Sequence, residues 1–205
     1  MMKIRFAGLV LLLALPWSLH GQGLAKAESF GVAVRTATVN QQSPAAVLPP
    51  DGSVVQTQAN DVTVGTFVTA QDAFATATGA SDGALSDAVS SATLGTVNIL
   101  NGLITADGVV AMASSTVGNS NAEGSSLGNL VVNGVPLNDP APNTRVDLPG
   151  VGYALLNEQI PTSGGITVNM IHVILQQPVL GLFGQVTGVR TIGDIIVGSA
   201  TSSVN

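Results

Sequence analysis

Residues 96–107, TVNILNGLITAD, decide the fold class. Asn101-Gly102 sits between two apolar runs, and a two-residue type I′ turn needs positive φ at both central positions, which Asn and Gly tolerate best. Closing the chain there pairs Leu100 with Leu103 and Ile99 with Ile104. Val97, Ile99, Ile104 and Ala106 then share one face, with Asn98 and Thr105 on the other. The same logic applies to LVVNGVPL, residues 130–137, where Asn133-Gly134 forms the turn and Leu130, Val132, Val135 and Leu137 share a face. Pro136 cannot donate to a ladder, so that arm should be short or at an edge.

Outward from these hairpins the chain keeps the same character. Runs rich in Val, Ile, Thr and Ala are divided by Gly, Pro, Asn and Asp, the pattern of strands and turns. Strands are expected at 29–39, 61–70, 73–78, 96–100, 103–115, 127–132, 152–156, 166–175 and 194–202. Residues 42–52, rich in proline, read as a loop, and residues 81–92 as either a short helix or another strand. The inward positions of VVAMASSTV (109–117) and FATATGA (74–80) are mostly Ala, Ser and Thr. Sheets faced with such small side chains must lie close together or meet water on one side. An all-β, antiparallel β-sandwich-like single domain follows. A β-solenoid is the alternative, but no fixed repeat period supports it.

The first residues address the chain. Lys3 and Arg5 precede an apolar stretch from Phe6 to Leu19, and Ala25-Lys26-Ala27 supplies a small-x-small cleavage signal. Residues 1–27 are therefore expected to be a signal peptide and 28–205 one β-rich domain, secreted and extracellular. No later run approaches the ~18 apolar residues of a membrane-spanning helix. After cleavage, only Arg35, Arg145 and Arg190 remain against 12 carboxylates, a formal charge of −9 with no lysine. Such a surface repels phosphate backbones and anionic lipid, so neither nucleic acid nor a charged membrane is an expected partner. With no cysteine, the chain has no disulfide.

Five blocks carry a resemblance: NILNGLITADGVVAMASST (98–116), AEGSSLGNLVVNGVPL (122–137), PAPNTRVDLPGVGYALLNEQ (140–159), ITVNMIHVIL (166–175) and GDIIVGSATSSV (193–204). Together they resemble the bacterial choice-of-anchor P family. The resemblance implies an exported domain of unsettled activity, joined in different members to different C-terminal sorting signals. Here no LPxTG-like motif, apolar tail or basic cluster follows the last block before Asn205, so free secretion is expected over anchoring.

Catalytic chemistry has few residues to work with. GSSLG (124–128) matches the G-x-S-x-G nucleophile elbow, with Ser126 central and Asp139 or Asp147, then His172, downstream. An elbow needs a strand before the serine and a helix after it, and the flanks here are loop-like and β-branched. NSNAEG (119–124) opens like a calcium loop, but Leu130 stands where the bidentate acid belongs. Asp72, Asp82 and Asp87 read as turn formers. Tyr153, Glu123 and Glu158 are the weak candidates for ligand binding, and no catalytic residue, metal site or cofactor is expected. Arg145, as one of three cations, should pair with Asp147 and Glu158.

His172 is the one histidine left after cleavage. Strict alternation through ITVNMIHVIL puts it in a row with Ile166, Val168, Met170 and Ile174, which predicts a neutral imidazole among apolar neighbours with one nitrogen hydrogen-bonded. The expected function is a structural or interaction domain of the bacterial surface or extracellular matrix, with an unknown surface or matrix partner and no catalytic activity. A carbohydrate-binding module using Tyr153, with a polysaccharide as partner, is the alternative, and a serine hydrolase at Ser126 the second.

Overall fold

The computed structural model describes residues 24–82 and 85–205. Strands β1 Ala25–Thr36, β2 Asn40–Val47, β3 Val55–Val64, β4 Val68–Ala80, β5 Asp87–Ile99, β6 Ile104–Thr116 and β7 Asn119–Asn121 come first. After them come β8 Ser126–Leu127, β9 Val131–Val132, β10 Val135–Pro136, β11 Thr144–Leu148, β12 Gly152–Thr162, β13 Gly165–Leu180 and β14 Val186–Val204. One sheet, A, runs β11-β12-β13-β14-β1-β2. The other, B, runs β10-β9-β6-β5-β4-β3, with β7 and β8 also pairing with β6. Every pairing is antiparallel, and the two sheets pack face to face as a sandwich. None of the described residues forms a helix long and apolar enough to cross a membrane.

Both hairpins form. Asn101 and Gly102 take φ of 56° and 90°, and Ile99 pairs with Ile104, both fully buried. Leu100 also turns to φ 50° and gives its N–H to the Phe67 carbonyl, so the ladder ends at Ile99–Ile104. The expected Leu100–Leu103 pair is replaced by a turn over 100–103, closed by a 3.4 Å bond from the Leu103 N–H to the Leu100 carbonyl. Asn133 and Gly134 take 53° and 76°, and Val132 pairs with Val135. As Pro136 requires, β10 is two residues long and ends sheet B. Leu130 and Val132 enter the core while Val135, at the open edge, stays 58% exposed.

Some expected segments differ; residues 127–132, for one, are not one strand but the end of β8 and β9, with 128–130 between them. Residues 61–70 are not one strand but the end of β3, a turn at 65–67 and the start of β4, because Gly65 at φ 52° reverses the chain. Residues 42–47 are not loop but part of β2. Pro44 is tolerated there because β2 is the edge of sheet A and needs no second ladder. Residues 87–92, in the ambiguous segment, extend β5. The expected cleavage point after Ala27 falls inside β1: Ala27 is 4% exposed, and its carbonyl accepts the Leu48 N–H.

The sandwich is wedge-shaped in its packing. At one end Ile99, Ile104, Leu130, Leu148, Leu156 and Ile195 fill the interior. Toward the other, the contact is made by Ala73, Ala75, Ala77, Ala88, Ala92, Ala111 and Ala113, all fully buried. There serine hydroxyls bridge the gap directly. Ser29 Oγ donates to the Thr76 carbonyl at 2.9 Å and Ser90 Oγ to the Thr201 carbonyl at 2.8 Å, and Ser115 Oγ lies 2.8 Å from Ser202 Oγ. A hydroxyl one bond beyond Cβ reaches an opposite backbone only when the sheets approach closer than the usual ~10 Å.

Each sheet is crossed by a line of irregular residues. In sheet A the ladder steps over Asn157, Met170, Gly198, Gly31 and Pro44, which lie opposite one another on five successive strands. Asn157 and Gly198 take φ of 48° and 65°. In sheet B the corresponding line is Asn60, Asp72, Gly95 and Gly108, with Asp72 at φ 52° and Gly108 at 76°. At these lines the in–out alternation of every strand slips by one residue. Leu156, Met170, Ile171 and Val197 all stay in the core, while Glu158, Asn169, His172 and Ser199 face outward.

Candidate functional site

That slip builds a concentrated polar cluster on the outer face of sheet A. His172, in the middle of β13, does not join Val168 and Met170 in the core. Its Nδ1–H donates to Glu158 Oε2 on β12 at 2.8 Å, and its Nε2 lies 3.5 Å from Asp194 Oδ2 on β14. The expectation of one hydrogen-bonded nitrogen holds, at Nδ1, but the expectation of apolar neighbours is overturned: carboxylates flank both sides of the ring. The cause is the phase slip at Met170, which turns the imidazole to the outer face, where β12 and β14 carry acids.

The network continues on both sides. Asn169 Nδ2 donates to the same Glu158 oxygen at 2.7 Å, and Ser199 Oγ donates to Asn169 Oδ1 at 2.7 Å. Asp194 also meets the Arg35 guanidinium of β1 at 3.4 Å. Arg35 lies over the Phe30 ring at 5.8 Å, and Phe30 packs with Ala33 and Ile196 in an apolar patch separate from the main core. Arg35, Asp194, His172 and Glu158 thus form a chain of alternating nitrogen groups and carboxylates across four neighbouring strands. Burial works against the Glu158 carboxylate, but the hydrogen bonds from His172 and Asn169 and the attraction of His172 outweigh it and hold its pKa below the ordinary range.

Of the expected site residues, Glu158 joins this cluster and Tyr153 lies on the same face of β12, whereas Glu123 is elsewhere. Arg145 stacks over Tyr153 at 3.9 Å from the ring centroid and bonds Asp147 at 2.9 Å, so one face of the ring is already covered. The expected Arg145–Asp147 pair forms, while Glu158 pairs instead with His172. Glu123 is exposed in the turn after β7, its N–H capped by Asn121 Oδ1 at 3.1 Å, as a simple turn requires. Ser126 lies on β8, paired with Val110 in sheet B, across the sandwich from His172. The structure does not bring the two together. Among the described residues, no three His, Asp or Glu side chains are placed to hold a metal ion.

Arg35, Asn169, Asp194 and Ser199 were not expected at the site. The signal for two of them was present: Asn169 inside ITVNMIHVIL and Asp194 beside IIVG are polar groups in otherwise apolar strands, and a buried polar group implies a partner. No family model, curated protein or solved structure matches the chain.

Proposed function

We propose that the protein is an exported bacterial structural or interaction domain of the cell surface or extracellular matrix, and that its polar cluster is structural. The observation that carries this reading is the position of His172, whose Nδ1 is hydrogen-bonded to Glu158 and whose Nε2 faces Asp194 at 3.5 Å. A general base needs a free nitrogen aimed at a nucleophile, and here Nε2 faces a carboxylate while Ser126 belongs to the other sheet. The leader-like start, the likeness to choice-of-anchor P proteins and the shortage of aromatic platforms support the same reading. Its partner is a surface or matrix component.

The carbohydrate-binding alternative has Tyr153 at its centre, and the Arg145 guanidinium stacked on that ring competes with a sugar for it. Two measurements test the proposal. Cell fractionation of the producing bacterium should place the chain outside the cytoplasm, and a fluorophosphonate probe should leave Ser126 unlabelled. Labelling of Ser126 that disappears in His172→Gln would establish the hydrolase instead, and glycan binding lost in Tyr153→Ala the lectin.

A further inference from the structure

Strands β13 and β14 continue well beyond the body of the sandwich. β12 pairs no further along β13 than Gly152 opposite Leu175, and β1 no further along β14 than Thr36 opposite Gly193. Gln176 N–H still donates to the Val151 carbonyl at 2.7 Å, but beyond it the two strands pair only with each other, as an arm about 20 Å long. Leu182 at its tip is 98% exposed and Phe183 is 92% exposed, and Leu180, Val186 and Val189 are also open to solvent.

The tip is held in shape. Gly181 N–H donates to the Gln185 carbonyl at 2.8 Å, Gly184 N–H to the Gly181 carbonyl at 3.0 Å, and Phe183 N–H to Gln185 Oε1 at 3.1 Å. Two large apolar side chains on a bonded loop at the end of an arm are a presented surface rather than a frayed end. At the base of the same arm lies a hollow of about 340 Å³ whose lining joins Pro149, Val151, Pro178 and Val189 to the polar Asp147 and Gln177. Alternation puts Pro178 and Leu180 on one face of the arm, with Val189 and Val186 across from them, so an apolar stripe leads from hollow to tip.

We propose that this arm is a self-association element: two copies lie arm against arm about a twofold axis, and each seats Leu182 and Phe183 in the hollow at the base of the other. An antiparallel arrangement brings tip to base automatically, because both arms have one length. Charge selects this surface. The chain is acidic, yet no carboxylate lies between Glu158 and Asp194, and Arg190 is the one charged residue of the arm. Two arms can lie along each other without opposing acids, and the one acid of the hollow, Asp147, is already paired with Arg145. A lipid surface suits the arm less well, because insertion would carry the unpaired backbone groups of both open edges into hydrocarbon. A second arm can instead pair with one of those edges.

Sedimentation of protein produced from the full chain tests this. Wild type should show a concentration-dependent monomer–dimer equilibrium, and Leu182→Asp with Phe183→Asp should raise the dissociation constant about 30-fold or more. Unchanged β-sheet circular dichroism in that variant would separate lost association from lost folding. The absence of native cysteine allows a second measurement. Phe183→Cys combined with Val151→Cys should give a disulfide-linked dimer on oxidation, whereas either change alone should not. Within one copy the two positions are an arm's length apart, too far to bridge. A chain that stays monomeric at every concentration, whether or not it floats with phosphatidylcholine vesicles, overturns the proposal. Dimers unaffected by the tip changes would also overturn it.

Discussion

Glu158 shows how one side chain ties a sheet face together and makes it sensitive to acid. Its oxygen Oε2 accepts from both His172 and Asn169, and these bonds hold the carboxyl below its ordinary value of 4.5. A carboxylate with a depressed folded pKa contributes stability that is fully present above its unfolded pKa. That contribution is lost as pH falls through the folded value. Stability measured by urea unfolding should therefore fall as the medium is acidified below about pH 4.5, and Glu158→Gln should flatten that part of the profile. At neutral pH, His172→Gln should cost about 1–3 kcal/mol, since it removes the imidazole hydrogen bond to the largely buried Glu158 carboxylate. A His172→Gln protein of unchanged stability would mean that solvent replaces the imidazole at no cost. The cluster was only partly legible beforehand. Glu158 and His172 stood out by rarity, but their pairing required knowing that alternation slips at Met170, and no local pattern marks that position.

At the scale of elements, the chain was most legible where a rule is local. Asn101-Gly102 and Asn133-Gly134 specify their turns because few other residue pairs accept two positive φ angles. The slip lines were hidden because they are cooperative: Gly31 and Gly198 look like ordinary strand glycines until they are seen to face each other. Gly198 takes φ 65°, and a Cβ there would lie 2.8 Å from Val109 Cγ1 of the opposite sheet. Gly198→Ala should thus lose about 2–4 kcal/mol, combining backbone strain with overpacking, and a thermal melt would register it. The arm is not legible in the sequence because Pro178, Gly181, Gly184 and Gly188 break any strand pattern, and a freestanding hairpin tolerates them where a central strand would not. The start of β1 bears on export. Ala25 pairs with Val204 and Ala27 with Ser202, so cleavage after Ala27 would remove three paired residues from the sheet. Gly21-Gln22-Gly23 offers another small-x-small site just upstream. Mass spectrometry of the protein recovered from outside the producing cells, where the proposed export would place it, should find an N-terminus at Leu24 and not at Glu28; a start at Glu28 would show that the sheet forms without those residues.

For the whole molecule, the closeness of the two sheets is the property from which the rest follows. Alanine-rich inner faces were readable in VVAMASSTV and FATATGA, and they left two outcomes open, close sheets or a wetted face. The structure takes the first, and the serines explain how it can. At such a spacing a leucine would not fit, yet a serine hydroxyl from one sheet reaches a carbonyl or hydroxyl of the other, so polar atoms are buried without being orphaned. Ser115 and Ser202 form the purest case, because both are almost fully buried and their hydroxyls lie 2.8 Å apart. Removing one hydroxyl strands the other in a dry interface, whereas removing both leaves two methyl groups facing one another. Ser115→Ala or Ser202→Ala alone should therefore cost about 1–3 kcal/mol, while the double replacement should cost less than the two single changes summed, by about 1 kcal/mol or more. Urea unfolding of the four proteins measures this cycle directly. Strictly additive losses would mean that water enters between the sheets and satisfies each hydroxyl separately, and the close dry contact would then have to be abandoned.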